Sequence, residues 1–249
     1  MDENEKTIAT DVNSYEPSLW SFIGNYKAKY TLISLVDQIH NDRMAGRNPD
    51  YPLVLLTGCP GSGKRTLARA LHNAVGNLEF REAGLILGTS EDHAPFFETA
   101  TEYTTLYITN FDKISSVVAG ALIHIVRDKC FQNSFPGGET EIINVENKLI
   151  ILSYDGVAII NPEIHKYIGI RCDLAPYSVD HVYQILRQRI RYLNWTASET
   201  TLRLIAQHSQ NNPGNAMKML QQTYIIMRSE NIDNKKINIT HAKKALCSK

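Results

Sequence analysis

Short apolar runs alternate with helical repeats of apolar residues over the first two thirds of the chain. Leu32, Leu35, Val36 and Ile39 recur at helical spacing and predict a helix over residues 28–43. Runs of apolar, β-branched and aromatic residues predict strands over 53–56, 78–80, 104–109 and 148–152, with a further helix over 117–131. Strands that alternate with helices are typical of an α/β domain with a parallel sheet, and ligands bind at the carboxyl edge of such a sheet.

Beyond residue 176 only helical periodicity remains. Helices are predicted over residues 179–193, 200–208, 213–228 and 239–246. We therefore expect a small helical domain over 177–249, appended to a parallel-sheet domain over 15–176. Residues 1–14 are polar, lack apolar anchors and are expected to form a disordered N-terminus. Residues 134–138, Ser-Phe-Pro-Gly-Gly, are a strong turn signal and predict a hairpin.

A glycine loop joins the first strand to the next helix. The segment Gly58-Cys-Pro-Gly-Ser-Gly-Lys64 matches the P-loop, whose backbone N–H groups and lysine surround the phosphates of a nucleotide. Its position between a strand and a helix makes a chance match improbable. The residues predicted to contact the phosphates are Gly58, Gly61, Ser62, Gly63, Lys64, Arg65 and Thr66.

The residue after the P-loop lysine departs from the pattern. A serine or threonine is required there as a ligand of Mg²⁺, and this chain has Arg65. An arginine cannot ligate Mg²⁺, so it either repels or replaces the metal, or it turns outward and a water takes the place of the missing ligand. Thr66 has a hydroxyl but faces about 100° away around the helix. The sequence therefore assigns no metal ligand, and Mg²⁺ binding is doubtful.

Hydrolysis would require an acidic residue at the end of a strand near the P-loop. The strand over 104–108 ends instead in Thr109-Asn110. Asn110 can orient a water but has no carboxylate to accept its proton. Asp112, two residues further, is a weak candidate on the following loop. The candidate catalytic residues are thus Lys64, Asn110 and Asp112.

Composition limits the classes of function. Lys+Arg and Asp+Glu both number 26, so the formal net charge is zero and DNA binding is only weakly indicated. The four cysteines form no CxxC pair, which argues against zinc and against a disulfide framework. No segment resembles a signal peptide or reaches the roughly 18 apolar residues of a membrane span. A cytoplasmic protein without membrane contact is therefore expected.

Several motifs, in order, resemble those of an AAA+ ATPase, and most closely the Holliday-junction branch-migration helicase of RuvB type. They are Tyr15-Glu-Pro17, Phe22-Ile-Gly-Asn25, the P-loop, the segment 106–115, the segment 149–153 and Asn161-Pro162. The resemblance covers nearly the whole chain. It implies ATP or ADP as ligand, with Phe22, Ile23 and Gly24 around the adenine and the C-terminal helices as a lid. It also implies an oligomeric ring of protein subunits, with the turn at 136–138 in a hairpin that meets a partner.

The departures from that family all affect catalysis or DNA contact. Thr109-Asn110 stands where the family has Asp-Glu, and Lys166 is the one cation of 162–167, where the family has its arginine finger. Gly214 replaces the sensor arginine of the lid, and Ser153 is what remains of the polar sensor. The chain ends at Lys249, where the family would begin its winged-helix domain.

Two hypotheses follow from these matches and departures. The first is a hydrolysis-impaired adaptor or assembly component that uses ATP or ADP as a structural or regulatory ligand. The alternative is an active AAA+ ATPase in branch migration, recombination or helicase loading, with a partner that supplies the DNA contacts. A kinase or another small-molecule P-loop enzyme is disfavoured, because it would not need the lid or the adenine-binding N-terminal segment.

Overall fold

The computed structural model describes residues 15, 17–84, 103–111, 116–134, 140–144, 147–156, 162–230 and 236–247. In chain order its helices are α1 (Tyr26–Met44), α2 (Lys64–Val75), α3 (Ser116–Asp128), α4 (Pro162–His165), α5 (Val179–Tyr192), α6 (Glu199–His208), α7 (Pro213–Ser229) and α8 (Ile239–Cys247). The strands are β1 (Leu53–Thr57), β2 (Glu79–Ala83), β3 (Thr104–Ile108), β4 (Cys130–Ser134), β5 (Thr140–Asn144), β6 (Leu149–Tyr154), β7 (Ile168–Asp173), β8 (Thr196–Ala197) and β9 (Lys236–Ile237).

Five parallel strands form the central sheet in the order β2-β3-β6-β1-β7. Every residue of β1, β3 and β6 is buried. Strands covered on both faces need side chains that can be buried in both directions, which is why these three consist mostly of apolar residues instead of alternating with charged ones. The predicted α/β class with a parallel sheet is confirmed.

Helices cover both faces of the sheet. On one face α1 and α2 pack against apolar residues of β1, β3, β6 and β7. On the other face α3 and α4 pack against the opposite side chains of β1, β3 and β6. Because side chains alternate across a strand, neighbouring residues such as Leu55 and Leu56 belong to different cores. The sheet is thereby held between two apolar layers, with its carboxyl edge left for a ligand.

Leu55 provides a test of this core. Its side chain is fully buried in the centre of the sheet, so Leu55→Ala is expected to lower the free energy of unfolding by about 2–5 kcal/mol through lost burial and a residual cavity. Chemical denaturation measures the change. The matched control is Leu78→Ala, because Leu78 is 80% exposed and its replacement should cost less than about 0.5 kcal/mol. Equal effects at the two sites would contradict the burial of β1.

The C-terminal helices share a separate apolar core, formed by buried residues between Tyr177 and Ala242. Trp195 and Tyr224 stack within it with ring centroids 3.7 Å apart. The helices predicted beyond residue 176 are present, and hydroxyl or amide side chains cap three of them. Ser178 is one of these caps and accepts a hydrogen bond from the His181 N–H at 3.1 Å.

Three elements differ from the sequence prediction. The helix predicted over 117–131 ends at Asp128, because Lys129 takes a left-handed conformation (φ 52°) and the chain enters β4. Phe131 therefore lies in a strand, paired with Ile143 of β5, and its assignment to the helix was wrong. The predicted strand over 78–80 instead runs from Glu79 to Ala83. Strand β7 was not predicted, since its mixed burial breaks the apolar pattern.

The predicted hairpin is confirmed in its two strands, since β4 and β5 pair antiparallel. Its turn at 135–139 lies outside the described residues, as does the predicted N-terminus over 1–14. None of the described helices is both long enough and apolar enough to span a bilayer.

Candidate functional site

The P-loop connects β1 to α2 at the carboxyl edge of the sheet. Gly58 and Gly61 adopt positive φ angles of 143° and 79°, which side chains other than glycine rarely adopt. A Cβ added to Gly58 would lie 2.8 Å from the carbonyl oxygen of Leu174. The loop geometry therefore requires glycine for both conformation and space. Gly63 precedes the first residue of α2, so the positive end of that helix points into the loop.

Lys64 is the first residue of α2 and is buried. Its ammonium donates to the carbonyl oxygens of Gly58 and Cys59, at 2.7 and 3.0 Å. It also donates to Oδ1 of Asp155 at 2.5 Å. The positive charge is thus held at the mouth of the loop, where a phosphate would need it.

Asp155 was not among the residues proposed from sequence. It directly follows β6, and β6 is the strand beside β1 on the side of β3. The sequence analysis looked for a carboxylate after β3, but β6 lies between β3 and β1. The signal available in sequence was an aspartate that immediately follows the mainly apolar segment 149–154.

Arg65 lies against β2. Its Nε and Nη2 approach Oε2 of Glu82 at 2.7 and 2.6 Å, and 64% of its side chain is exposed. Arg69, one turn further along α2, also approaches Glu82 at 3.8 Å. The geometry agrees with the outward orientation, one of the two interpretations that the sequence left open. Glu82 provides the physical reason, because its carboxylate on β2 binds the guanidinium, and Arg65 still contributes to the wall of the cavity at the P-loop.

The other candidate residues of the loop and of the strand end lie in different surroundings. Thr66, Thr109 and Asn110 contribute to the same cavity as the P-loop, and Asn110 has a left-handed backbone with φ 54°. Ser62 is buried, and among the described residues its hydroxyl has no hydrogen-bond partner. Asp112 lies outside the described residues.

Ser153 and Tyr107 form a buried polar pair behind the loop. The Ser153 hydroxyl donates to the Tyr107 phenol oxygen at 2.9 Å. Burial raises the pKa of Tyr107 to about 12, so the phenol remains neutral over the physiological range. Ser153, the predicted remnant of the polar sensor, therefore lies at the cavity wall with a neutral partner.

A cavity of about 420 Å³ extends from the P-loop to the lid. Phe22, Ile23 and Tyr177 also line it. Gly24 lies directly behind, because a Cβ on it would come within 2.7 Å of the Tyr177 ring. The N-terminal residues predicted to surround a base are thus brought to the same cavity as Lys64. A volume of a few hundred Å³ is typical of small-molecule sites.

Arg189 of α5 also lines the cavity. Its guanidinium carbon lies 4.2 Å from the centroid of the Tyr15 ring, a favourable cation–π arrangement. Burial lowers the pKa of the Arg189 guanidinium. The tertiary contact with Tyr15, 174 positions earlier in the chain, could not be inferred from helical periodicity.

The lid touches the P-loop through backbone and amide groups. The N–H of Gly214 donates to the carbonyl oxygen of Gly61 at 3.0 Å, and Nδ2 of Asn212 donates to that of Pro60 at 2.6 Å. A Cβ on Gly214 would lie 2.8 Å from the Cα of Gly61. The position where a sensor arginine was sought is therefore in direct contact with the loop.

Lys166, the other cation sought from sequence, donates to Glu163 at 2.7 Å on an exposed surface. Hydrogen bonding to Glu163 raises the pKa of the Lys166 ammonium. The structure places it outside the residues that line the described cavity. No group of three or more potential metal ligands occurs in the part of the chain that the structure describes.

The sequence and structure comparisons both find RuvB subunits as similar proteins. No protein-family model matches the chain. The RuvB subunit of the Holliday junction branch migration complex from Neorickettsia sennetsu is 23% identical over 223 residues, which are 88% of this chain and 66% of that protein. Its counterparts from Mycoplasmopsis pulmonis and Kosmotoga olearia are 24% and 22% identical. They align with 88% and 71% of this chain, and with 70% and 52% of their own lengths.

Solved structures give the same result for the fold. A point mutant of Thermotoga maritima RuvB superposes with a TM-score of 0.77 at 20% identity, over 94% of this chain and 73% of that one. Another structure, described as the RuvB Holliday junction branch migration motor of Thermotoga maritima, has a TM-score of 0.73 at 19% identity, over 94% of this chain and 72% of that one. The sequence and fold comparisons bear out the resemblance inferred from the motifs: this chain is similar in sequence to RuvB subunits, and it has the AAA+ fold of the solved RuvB structures.

Proposed function

We propose that the chain binds ATP or ADP in the 420 Å³ cavity and hydrolyses it poorly, so that the nucleotide is a structural or regulatory ligand. One observation carries the proposal. Among the described residues that line the cavity, the one carboxylate is Asp155, and it is bonded to Lys64. Phosphate binding has its glycine loop and lysine, whereas activation of a water has, among these described residues, no carboxylate except the one that must first leave Lys64.

The fit to a nucleotide rests on the shape of the site. The glycines of the loop let backbone N–H groups approach a phosphate, and Lys64 supplies a charge at the same place. Phe22, Ile23 and Tyr177 offer apolar surface to a base in the same cavity. Asn110 can orient a water but cannot take its proton, and we assign it no larger role.

With the nucleotide as ligand, we propose that the protein acts through other protein subunits, as an adaptor or assembly component. The relatives are named as subunits of a branch migration complex, and a homo- or hetero-oligomeric ring is the arrangement that this likeness supports. With 26 basic and 26 acidic residues, the chain has no net positive charge to attract DNA. We propose division of the chain at residue 176, with the sheet as nucleotide-binding domain and the helices as lid.

An active ATPase that works on DNA is the second candidate. Asp155 is the observation in its favour, because a carboxylate at the carboxyl end of the strand beside β1 can polarise a water once it leaves Lys64. In that case a partner supplies the DNA contacts, in branch migration, recombination or helicase loading.

Calorimetry and phosphate release together distinguish the two candidates. We expect ADP and ATP to bind in EDTA as well as in Mg²⁺, with no phosphate release above background, with or without branched DNA. Turnover that disappears in Lys64→Ala would establish the ATPase instead. If neither nucleotide binds, the loop is a structural relic and both candidates fail.

Arg65 allows a second test of the metal question. Arg65→Ser restores the hydroxyl that the P-loop pattern places on Mg²⁺, so Mg²⁺ should strengthen ATP binding by about 1 kcal/mol more in this variant than in the wild type, or about fivefold. Titration of ATP with and without Mg²⁺ gives this difference. The matched control is Arg69→Ser, which also removes a guanidinium near Glu82 but lies outside the cavity. An equal Mg²⁺ effect in wild type and Arg65→Ser would contradict the prediction.

A further inference from the structure

All three N–H donors of the Lys64 ammonium are used in hydrogen bonds. An ammonium group has three N–H donors, and the three acceptors around Lys64 Nζ are the carbonyl oxygens of Gly58 and Cys59 and the carboxylate of Asp155. A phosphate group that enters the loop must therefore displace at least one of them.

The three acceptors differ in how they respond to a phosphate. The two carbonyls belong to the loop and carry no net charge, so they can remain beside a bound anion. Asp155 carries a negative charge, competes with the phosphate for the same ammonium and repels it. Its side chain is 42% exposed, so it can turn towards water at modest cost. Asp155 is the acceptor that a phosphate displaces.

The position of Asp155 is set by the sheet. Tyr154, the residue before it, is in register with Thr57 at the end of β1. The parallel pairing of β6 with β1 therefore holds the backbone of Asp155 beside the start of the P-loop.

We propose that Asp155 sets the affinity of the phosphate site by competing with phosphate for the ammonium of Lys64. This inference rests on the proposed nucleotide binding and names the residue that opposes it. Removal of the charge at Asp155, with its shape retained, strengthens binding of anything that carries a diphosphate. Binding of a nucleoside without phosphate stays unchanged.

The experiment compares Asp155→Asn with Asp173→Asn in EDTA. Asp173 is the matched control, because it ends β7, the other neighbour of β1, and is bonded to Thr57 and Arg171. Both substitutions remove one negative charge beside the same strand, but only Asp155 contacts Lys64. Calorimetry is run with ADP, pyrophosphate and adenosine, and thermal unfolding checks that each variant is folded.

Asp155→Asn is expected to bind ADP and pyrophosphate about threefold to thirtyfold more tightly than the wild type. The gain should shrink at high salt, because the competing charge is partly exposed. Asp173→Asn should leave ADP affinity within about twofold. If Asp155→Asn is folded and binds ADP no better than the wild type, the inference fails while nucleotide binding stands. If neither wild type nor variant binds ADP, the proposed function fails and takes this inference with it.

Discussion

Lys64→Ala is expected to weaken ADP binding about a hundredfold. The substitution removes the buried charge at the mouth of the loop, and hydrogen bonds to a charged group contribute about 1.5–3 kcal/mol each. It also leaves the carboxylate of Asp155 without its partner, so the remaining charge at the site repels phosphate. Calorimetric titration with ADP in EDTA measures the loss.

The control for this prediction is Lys218→Ala. Lys218 is exposed on α7, so its loss changes the net charge by the same amount without a contact to the loop. Its ADP affinity should stay within about twofold of the wild type. A Lys64→Ala variant that is folded and keeps wild-type affinity would show that the nucleotide does not use this loop.

Gly214→Ala is expected to detach the lid from the P-loop and to lower the free energy of unfolding by about 1–3 kcal/mol. The new Cβ would lie 2.8 Å from the Cα of Gly61, a backbone atom that cannot rotate away. The hydrogen bond from the Gly214 N–H to the Gly61 carbonyl would then lengthen or break. Faster hydrogen exchange at the Gly214 amide, together with chemical denaturation, reports both effects.

Gly120→Ala is the matched control, because Gly120 also lies in a helix and a Cβ there would meet no atom of the described residues within 4 Å, its chain neighbours and its own helix backbone apart. Alanine is a better helix former than glycine, so this variant should be stabilised by up to about 1 kcal/mol. If Gly214→Ala were stabilised to the same degree, the lid would not be in close contact with the loop. The opposite signs expected for two helical glycines make the comparison sharp.

Elements with a strong local signal could be predicted from the sequence. The strands β1, β3 and β6 are buried on both faces, so each is rich in apolar, β-branched or aromatic residues. The glycine loop is also local, since seven consecutive residues between a strand and a helix define it. The lid helices combine apolar periodicity with polar caps such as Ser178 and Ser198.

Features that depend on partners far along the chain were missed. Strand β7 has mixed burial and is recognisable only from its pairing with β1. The predicted helix over 117–131 is too long, because its last two residues belong to β4. Strand β4 pairs with β5, and helical periodicity does not report that pairing. The contact of Lys64 with Asp155 joins residues 91 positions apart, and that of Pro60 with Asn212 joins residues 152 apart.

The sequence by itself determined the class of fold, the phosphate loop and the resemblance to RuvB-type AAA+ proteins. Each of these depends on residues adjacent in the chain or on a repeating pattern of burial. Only the tertiary structure decided which ion-pair partners the charged residues of the site have. Arg65 turns to Glu82 because β2 brings a carboxylate beside α2, and Lys64 is neutralised by Asp155 because β6 inserts next to β1. The order of strands in a sheet is set by packing, so it determines which distant residues become partners.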